Sequence, residues 1–369
     1  MEHILYWLWL TTKYGVTPSK IKVLLEYFKT VEEIYFSKNF NNIYGLSDKI
    51  KSSLADKDLS KAEKILEQTA KLNQKILVYD SESYPQILKN ISSPPYVLYV
   101  QGKVLELDKV LTIGVVGTRN SSEYGRVVTD RICRELAQYG AVTVGGLARG
   151  IDTVGAWATL DVGGVAGVVG NGLDIVYPSE NVELVKAITE KGCIISEYAP
   201  GTPPVRNHFP ARNRIIAGLS RGILVTEAPE KSGALITAKY ALENDRDVFA
   251  VPRNITDTNS LGTNKIIQQG AKLINGAADI ISEYPYAEKV IPKKVKSEPI
   301  QKTVDDSKYS KLNEFEKQII DILKKSDMQI DELSRELKRN VSEINTKLIM
   351  LEVKGLVKKL PGSKYQLKL

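Results

Sequence analysis

The chain has 369 residues, 43% of them apolar and 26% charged, with a net charge of +7. That length calls for two or three domains at roughly 100–200 residues each, and the composition excludes a disordered chain. No apolar run reaches the roughly 20 residues of a membrane span, residues 4–10 lack the basic flank of a signal peptide, and Cys133 and Cys193 without CxxC spacing exclude structural zinc and a disulfide framework, so a cytoplasmic protein is expected.

Residues 1–75 read as a small helical domain, with apolar positions at helical spacing in 21–31 (Ile21, Leu24, Leu25, Phe28) and again in 61–70. Gly15-Val16-Thr17-Pro18 and Gly45-Leu46-Ser47 mark turns between helices. Each is similar to the hairpin of a helix-hairpin-helix unit but lacks its second glycine, so packing is expected of them rather than DNA contact.

Residues 76–285 alternate apolar, β-rich runs with helical stretches. Strands are predicted at 110–117, 141–146, 164–170, 193–198, 222–228, 247–252 and 272–274. Helices are predicted at 124–139, 152–160, 181–190, 214–219, 237–243 and 265–269. Continuous apolar strands separated by helices give a parallel sheet covered on both faces: a doubly wound, Rossmann-like α/β domain. Residues 286–308 are polar and Lys-rich, the signature of a linker. From 309 to 369, three helical segments, the third with Ser342 as N-cap, precede a β-hairpin around Pro361-Gly362, which is the pattern of a winged-helix domain.

Charge is concentrated in one place. From 198 to 226 no acidic residue occurs, while Arg206, Arg212, Arg214 and Arg221 all fall there, an anion-binding feature. Within it, Arg206-Asn207-His208-Phe209-Pro210-Ala211-Arg212-Asn213-Arg214 follows the fourth of the predicted strands, where loops at carboxyl ends of parallel strands build a crevice. Arginine forks clamp phosphates and Phe209 offers a stacking face, a combination suited to single-stranded nucleic acid. A second candidate is the turn Gly117-Thr118-Arg119, whose amides would meet phosphate at a helix N-terminus. Lys231, Ser232 and Gly233 open another helix in the same way.

The spacings exclude several chemistries. The first turn is not GxGxxG and no acid ends the next strand, so no dinucleotide cofactor is expected. Lys231-Ser232 lacks P-loop spacing. His208 is the single histidine of this domain, and no HExxH, GxSxG or metal-binding carboxylate cluster occurs, so neither catalysis nor metal is expected. Asp152 and Asp174 follow glycine-rich strand ends and are assigned to helix capping and turn formation.

Taken together, the blocks Tyr84-Pro85, Pro94-Pro95, Gly117-Thr118-Arg119-Asn120, Gly146 to Asp152, Gly172-Leu173-Asp174 with Tyr177-Pro178, Ser196-Glu197, Phe209 to Leu219 and Ser232 to Ala238 resemble the DNA-processing protein A (DprA/Smf) family. The resemblance implies a cytoplasmic, homodimeric, non-enzymatic protein that binds single-stranded DNA and loads RecA onto it in natural transformation. It places DNA contacts on Arg119, Arg206, Phe209, Arg212, Asn213 and Arg214, with Lys231 and Ser232 in the same pocket. Three positions depart from the family pattern: Gly145 where Ser is usual, Ala156 where His is common, and Arg253 where Gly follows Pro252. Arg253 is expected to extend the basic rim or to be solvated.

Two rival readings follow from the same residues. A phosphoribohydrolase on a related sheet would need an acid in the loop 232–238, where none occurs before Glu243. A winged-helix transcription regulator would need a basic recognition helix, and this one offers Asn345, Thr346 and Lys347.

Overall fold

The computed structural model describes residues 2–285, 312–323, 328–360 and 364–367; the predicted linker at 286–308 lies outside them. The chain divides into two compact units, residues 1–292 and 293–369.

The first unit begins with five helices: α1 (Glu2–Thr12), α2 (Pro18–Phe28), α3 (Val31–Phe36), α4 (Asp48–Ala55) and α5 (Ser60–Lys71). The two glycine turns between them pack against each other. Gly15 lies against Ile50, and Lys20 Nζ donates to the Gly45 carbonyl at 2.6 Å. Strands β1 (Lys75–Val78) and β2 (Val97–Gly102), joined through α6 (Gln86–Lys89), follow. The Trp7 ring of α1 stacks on Tyr96 at 5.6 Å, just before β2, and its indole N–H donates to Asp80. Residues 1–75, read as a domain of their own, therefore share a core with the sheet and belong to one compact unit with it.

The chain then runs β3 (Thr112–Val116), α7 (Glu123–Gln138), β4 (Val142–Gly145), α8 (Ile151–Leu160), β5 (Val165–Val169), α9 (Val182–Lys191), β6 (Cys193–Ser196), α10 (His208–Leu219), β7 (Gly222–Val225), α11 (Gly233–Glu243), β8 (Asp247–Ala250), α12 (Leu261–Gln268), β9 (Lys272–Leu273) and α13 (Ala277–Ile281). The nine-stranded sheet has the order β1-β2-β6-β5-β4-β3-β7-β8-β9. All strands from β6 to β9 are parallel; β1 and β2, which the sequence reading missed, add an antiparallel edge. In β3, Ile113 and Val115 enter cores built with α7, whereas Val116 enters the core shared with α10 and α11. Both faces of the central strand are thus covered, which is why it reads as an unbroken apolar run.

The most consequential boundary is that of α10. The predicted helix at 214–219 begins six residues earlier, at His208. Pro210 signals a loop in sequence, but in a helix's first turn its missing N–H has no intrahelical partner to lose.

In the second unit, α14 (Glu314–Leu323), β10 (Met328–Gln329), α15 (Ile330–Leu337), α16 (Val341–Val353), β11 (Val357–Leu360) and β12 (Lys364–Leu367) form a winged helix. Its sheet has the order β10-β12-β11. Lys338 turns the chain between α15 and α16 in left-handed conformation. The N-cap of α16 is Asn340, whose side chain accepts from the Ser342 amide at 3.0 Å, and not Ser342. Among the described residues no helix is long and apolar enough to cross a membrane.

Candidate nucleic-acid interface

The sheet order reverses around β3, whose neighbours are β4 and β7. Loops leaving the carboxyl ends of strands on either side of such a point diverge and leave a crevice. Here the crevice is a cavity of about 640 Å³, walled by the segments after β3 (Gly117, Thr118, Arg119), β4 (Ala148, Asp152), β5 (Tyr177), β6 (Arg206, Phe209, Arg212, Asn213) and β7 (Lys231, Ser232, Gly233).

Helix α10 decides which of the clustered residues reach it. Phe209, Arg212, Asn213 and Ile216 all line the cavity, at the spacing i, i+3, i+4, i+7 that defines one helical face. Arg214 lies off that stripe. It pairs with Glu197 at 2.6 Å, both side chains largely buried, and does not line the cavity. The expectation that Arg214 contacts DNA is corrected accordingly.

Arg212 also differs from expectation. It is 5% exposed, and its guanidinium donates to the carbonyls of Gly146, at 2.8 Å, and Val168. It ties β5 to the segment that leaves β4 through Nη1 alone; its Nε has no partner among the described residues, and the residue still lines the cavity. Burial lowers its pKa to about 10, opposed by the charge of Asp152. Gly146 is required there, because a Cβ would meet the guanidinium at 2.5 Å.

Asp152 is the second residue of α8 and does not cap it; the N-cap is Gly150. Its carboxylate accepts from the amides of Gly146 at 3.0 Å and Ala148 at 3.5 Å, holding the loop that carries Ala148 into the cavity. Burial raises its pKa to about 6 against the pull of Arg212 and of those amides. Asp174, expected to form a turn, bridges two loops instead, accepting from the amide of Gly201 at 2.9 Å.

The glycine turn after β3 does not offer a helix N-terminus to a ligand. Its Thr118 amide donates to the Glu227 carbonyl at 2.8 Å, and Gly117 packs so closely on Ile151 that a Cβ would lie 2.5 Å from it. Helix α7 starts only at Glu123, and its first amides face the buried Glu227 carboxylate, which accepts from the amide and hydroxyl of Ser122. Glu227 in turn is paired with Arg253 at 2.8 Å. Arg253, which also pairs with Asp257 and lies over the Tyr124 ring, is therefore buried in an ion cluster instead of extending a basic rim. Glu227 went unnoticed in sequence because an acid closing an apolar strand reads as a surface residue.

The helix end that does face the cavity is that of α11. Ser232 is its N-cap, accepting from the Ala234 amide at 3.3 Å, and a Cβ on Gly233 would meet nothing. The positive end of the helix dipole thus opens onto the cavity. Asn213 bridges to this turn through the Gly233 carbonyl at 3.3 Å.

Three exposed cations remain: Arg119, Arg206 and Lys231 line the cavity, and none forms an ion pair among the described residues. The Phe209 ring lines the same cavity, 5.3 Å from that of Tyr177 and tilted 34° to it. Tyr177 was visible only as part of a Tyr-Pro pair after a glycine-rich strand end. His208 donates to the Gly170 carbonyl and stacks on Tyr198 at 4.0 Å, so it is structural.

Fold and cleft define a doubly wound α/β protein with a cationic, aromatic-walled crevice at its switch point, joined to a winged helix. Residues 75–285 match the family of DNA recombination-mediator protein A, and residues 306–363 match the DprA winged helix domain. The chain is 32% identical over 394 residues to protein Smf of Synechocystis sp., covering 98% of each chain. It is 45% identical over 206 residues to DNA processing protein DprA of Bacillus subtilis, covering 56% of this chain and 69% of that one. Among solved structures, DNA processing protein A from Streptococcus pneumoniae superposes with a TM-score of 0.62 at 34% identity, over 77% of this chain and 98% of that one. The protein of that name from Helicobacter pylori, whose structure describes a single-stranded DNA binding mode, gives 0.53 at 29% identity, over 58% and 96%. This chain belongs to the DNA recombination-mediator protein A family.

Proposed function

We propose that the protein binds single-stranded DNA in this cleft with little sequence preference and, without catalysing a reaction, delivers the strand to a RecA recombinase. The observation that carries the reading is that Arg119, Arg206 and Lys231, exposed and outside any ion pair among the described residues, line one cavity with the Phe209 ring. Cations that follow a backbone and a ring on which any base can stack retain single strands irrespective of sequence. The single-strand binding of the Helicobacter pylori relative and the name of the family support it. The protein acts in the cytoplasm as a homodimer, and RecA is its partner in strand delivery.

The experiment is competition between single-stranded and duplex DNA of equal length at two salt concentrations. Tighter single-strand binding that weakens with salt is expected; equal or tighter duplex binding overturns the reading. Stimulation of RecA filament assembly, and sedimentation for the dimer, test the two partner assignments. Incubation with nucleoside monophosphates tests the phosphoribohydrolase alternative, which predicts free base. For the transcription-regulator alternative, α16 exposes Asn345 and Thr346 among Val341, Ile349, Met350 and Val353, with Lys347 half-buried, so it offers few donors for base edges.

A further inference from the structure

Glu227 follows β7 at the switch point of the sheet. Its side chain is wholly buried, yet it does not line the cleft. A buried carboxylate is unfavourable unless donors surround it. Here the donors come from two segments far apart in the chain. Ser122, just before α7, donates its amide at 3.1 Å and its hydroxyl at 3.2 Å. After β8, Asn259 donates its side-chain amide at 2.7 Å and Arg253 pairs at 2.8 Å. Gly125 clears the approach, because a Cβ there would collide with the carboxylate.

These bonds converge on the loop that carries Arg119. The Thr118 amide donates to the Glu227 carbonyl at 2.8 Å, so one residue holds the loop by its backbone at the start and by its carboxylate at the end. Between those points the Asn259 side chain reaches the Asn120 carbonyl at 3.4 Å, and the Ile151 amide of α8 donates to the Thr118 carbonyl at 3.2 Å. The backbone on both sides of Arg119 is therefore tied, whereas the Arg119 side chain is exposed on the cleft wall.

We propose that Glu227 is a positioning residue for single-strand binding: with Arg253 and Asn259 as its struts, it holds the 117–122 loop in the conformation from which Arg119 meets a phosphate. The inference rests on the cleft being the single-strand site. A loop ordered beforehand need not be ordered on binding, which for one long side chain is worth roughly 2- to 10-fold in affinity. Glu227 acts on the strand through Arg119 and touches no nucleotide itself.

The test is a double-mutant cycle on the full-length protein, read as Kd for a fluorescein-labelled oligo(dT), with the folded fraction of each variant checked by circular dichroism. Glu227→Gln and Asn259→Ala each loosen the loop and should weaken binding roughly 2- to 10-fold in the wild-type background. In an Arg119→Ala background the same substitutions should change Kd by less than about 2-fold, because the residue they position is gone. In an Arg206→Ala background, which alters a cation carried by the segment after β6, their full effect should remain. General destabilisation would weaken binding equally in all three backgrounds, and that result overturns the positioning role. So does unchanged affinity in both variants while Arg119→Ala binds weakly. Asn259→Ala keeps the buried ion pair, so it decides the matter if Glu227→Gln does not fold. An Arg119→Ala variant that binds like wild type removes Arg119 from the contact and the inference with it. If the labelled oligo(dT) does not bind wild type, it is the single-strand reading that fails.

Discussion

The guanidinium of Arg253 lies 2.8 Å from the carboxylate of Glu227, and the two side chains are 5% and 0% exposed. The pair sits behind the loop that carries Arg119, whose Thr118 amide is bonded to the Glu227 carbonyl. Removing one member of a buried pair strands the other's charge, at a cost of about 3–5 kcal/mol. Glu227 keeps the Ser122 donors and the Asn259 amide, so Arg253→Ala should fall at the low end, about 3 kcal/mol by urea denaturation. A double variant with Glu227→Gln should lose less than the sum of the single losses; additive losses would show that the two groups act independently.

Arg119 and Lys231 are free to neutralise phosphates. Replacing either by Ala should weaken single-strand binding and flatten its dependence on log[salt] by about 0.7 in slope per lost contact. Phe209→Ala should cost about 1–3 kcal/mol with an unchanged slope, since a base leaving a ring releases no counterion. Titrations at several salt concentrations separate the two. A slope change in Phe209→Ala equal to that of the cationic variants would mean that the ring holds the loop in shape and does not stack on a base.

Arg212 belongs to a different class, although it stands in the same sequence cluster. Its loss leaves two buried carbonyls without their donor and removes the charge that favours the Asp152 carboxylate, so Arg212→Ala should lower stability by about 1–3 kcal/mol or more, the cost of buried polar groups left unsatisfied. Thermal melting reads this directly. A variant that melts like wild type yet binds DNA poorly would return Arg212 to the role of phosphate clamp.

Asp152 makes stability depend on pH. Its folded pKa of about 6 lies above the ordinary 3.8, so the native state holds a proton that the unfolded chain gives up. Its contribution is full below about 4 and is lost as pH rises to about 6. Asp152→Asn, which keeps an acceptor for the Gly146 and Ala148 amides, should remove that component. The difference in unfolding free energy between wild type and variant should shift toward the variant between pH 4 and 6 and stay constant above; a difference independent of pH would sink the assignment.

All the cleft residues lie between Val116 and Thr237, and residues 293–369 form a unit of their own. A protein ending before residue 309 should therefore remain folded and bind single strands with near wild-type affinity. Loss of binding by a folded truncation would move the primary site to the winged helix.

The inner parallel strands β3 to β8 were legible because a strand buried on both faces is apolar along nearly its whole length, and the short edge strand β9 (Lys272–Leu273) because buried Ile274 follows it. The winged helix was legible from helical periodicity and its caps. The segments that build the cleft could also be named, since carboxyl-end loops of parallel strands converge by topology. The edge strands β1 and β2 were hidden, lying among helices and sharing their core. Which charges are free was hidden too. Arg119, Arg206, Arg212, Arg214 and Arg253 are one residue type in sequence. Their fates depend on a helix beginning at His208 instead of 214, and on Glu197, Glu227 and the carbonyls of Gly146 and Val168 arriving from distant segments. Composition and period set where a chain is apolar, but a charge is spent or spared by partners that only the packed fold brings within 3 Å.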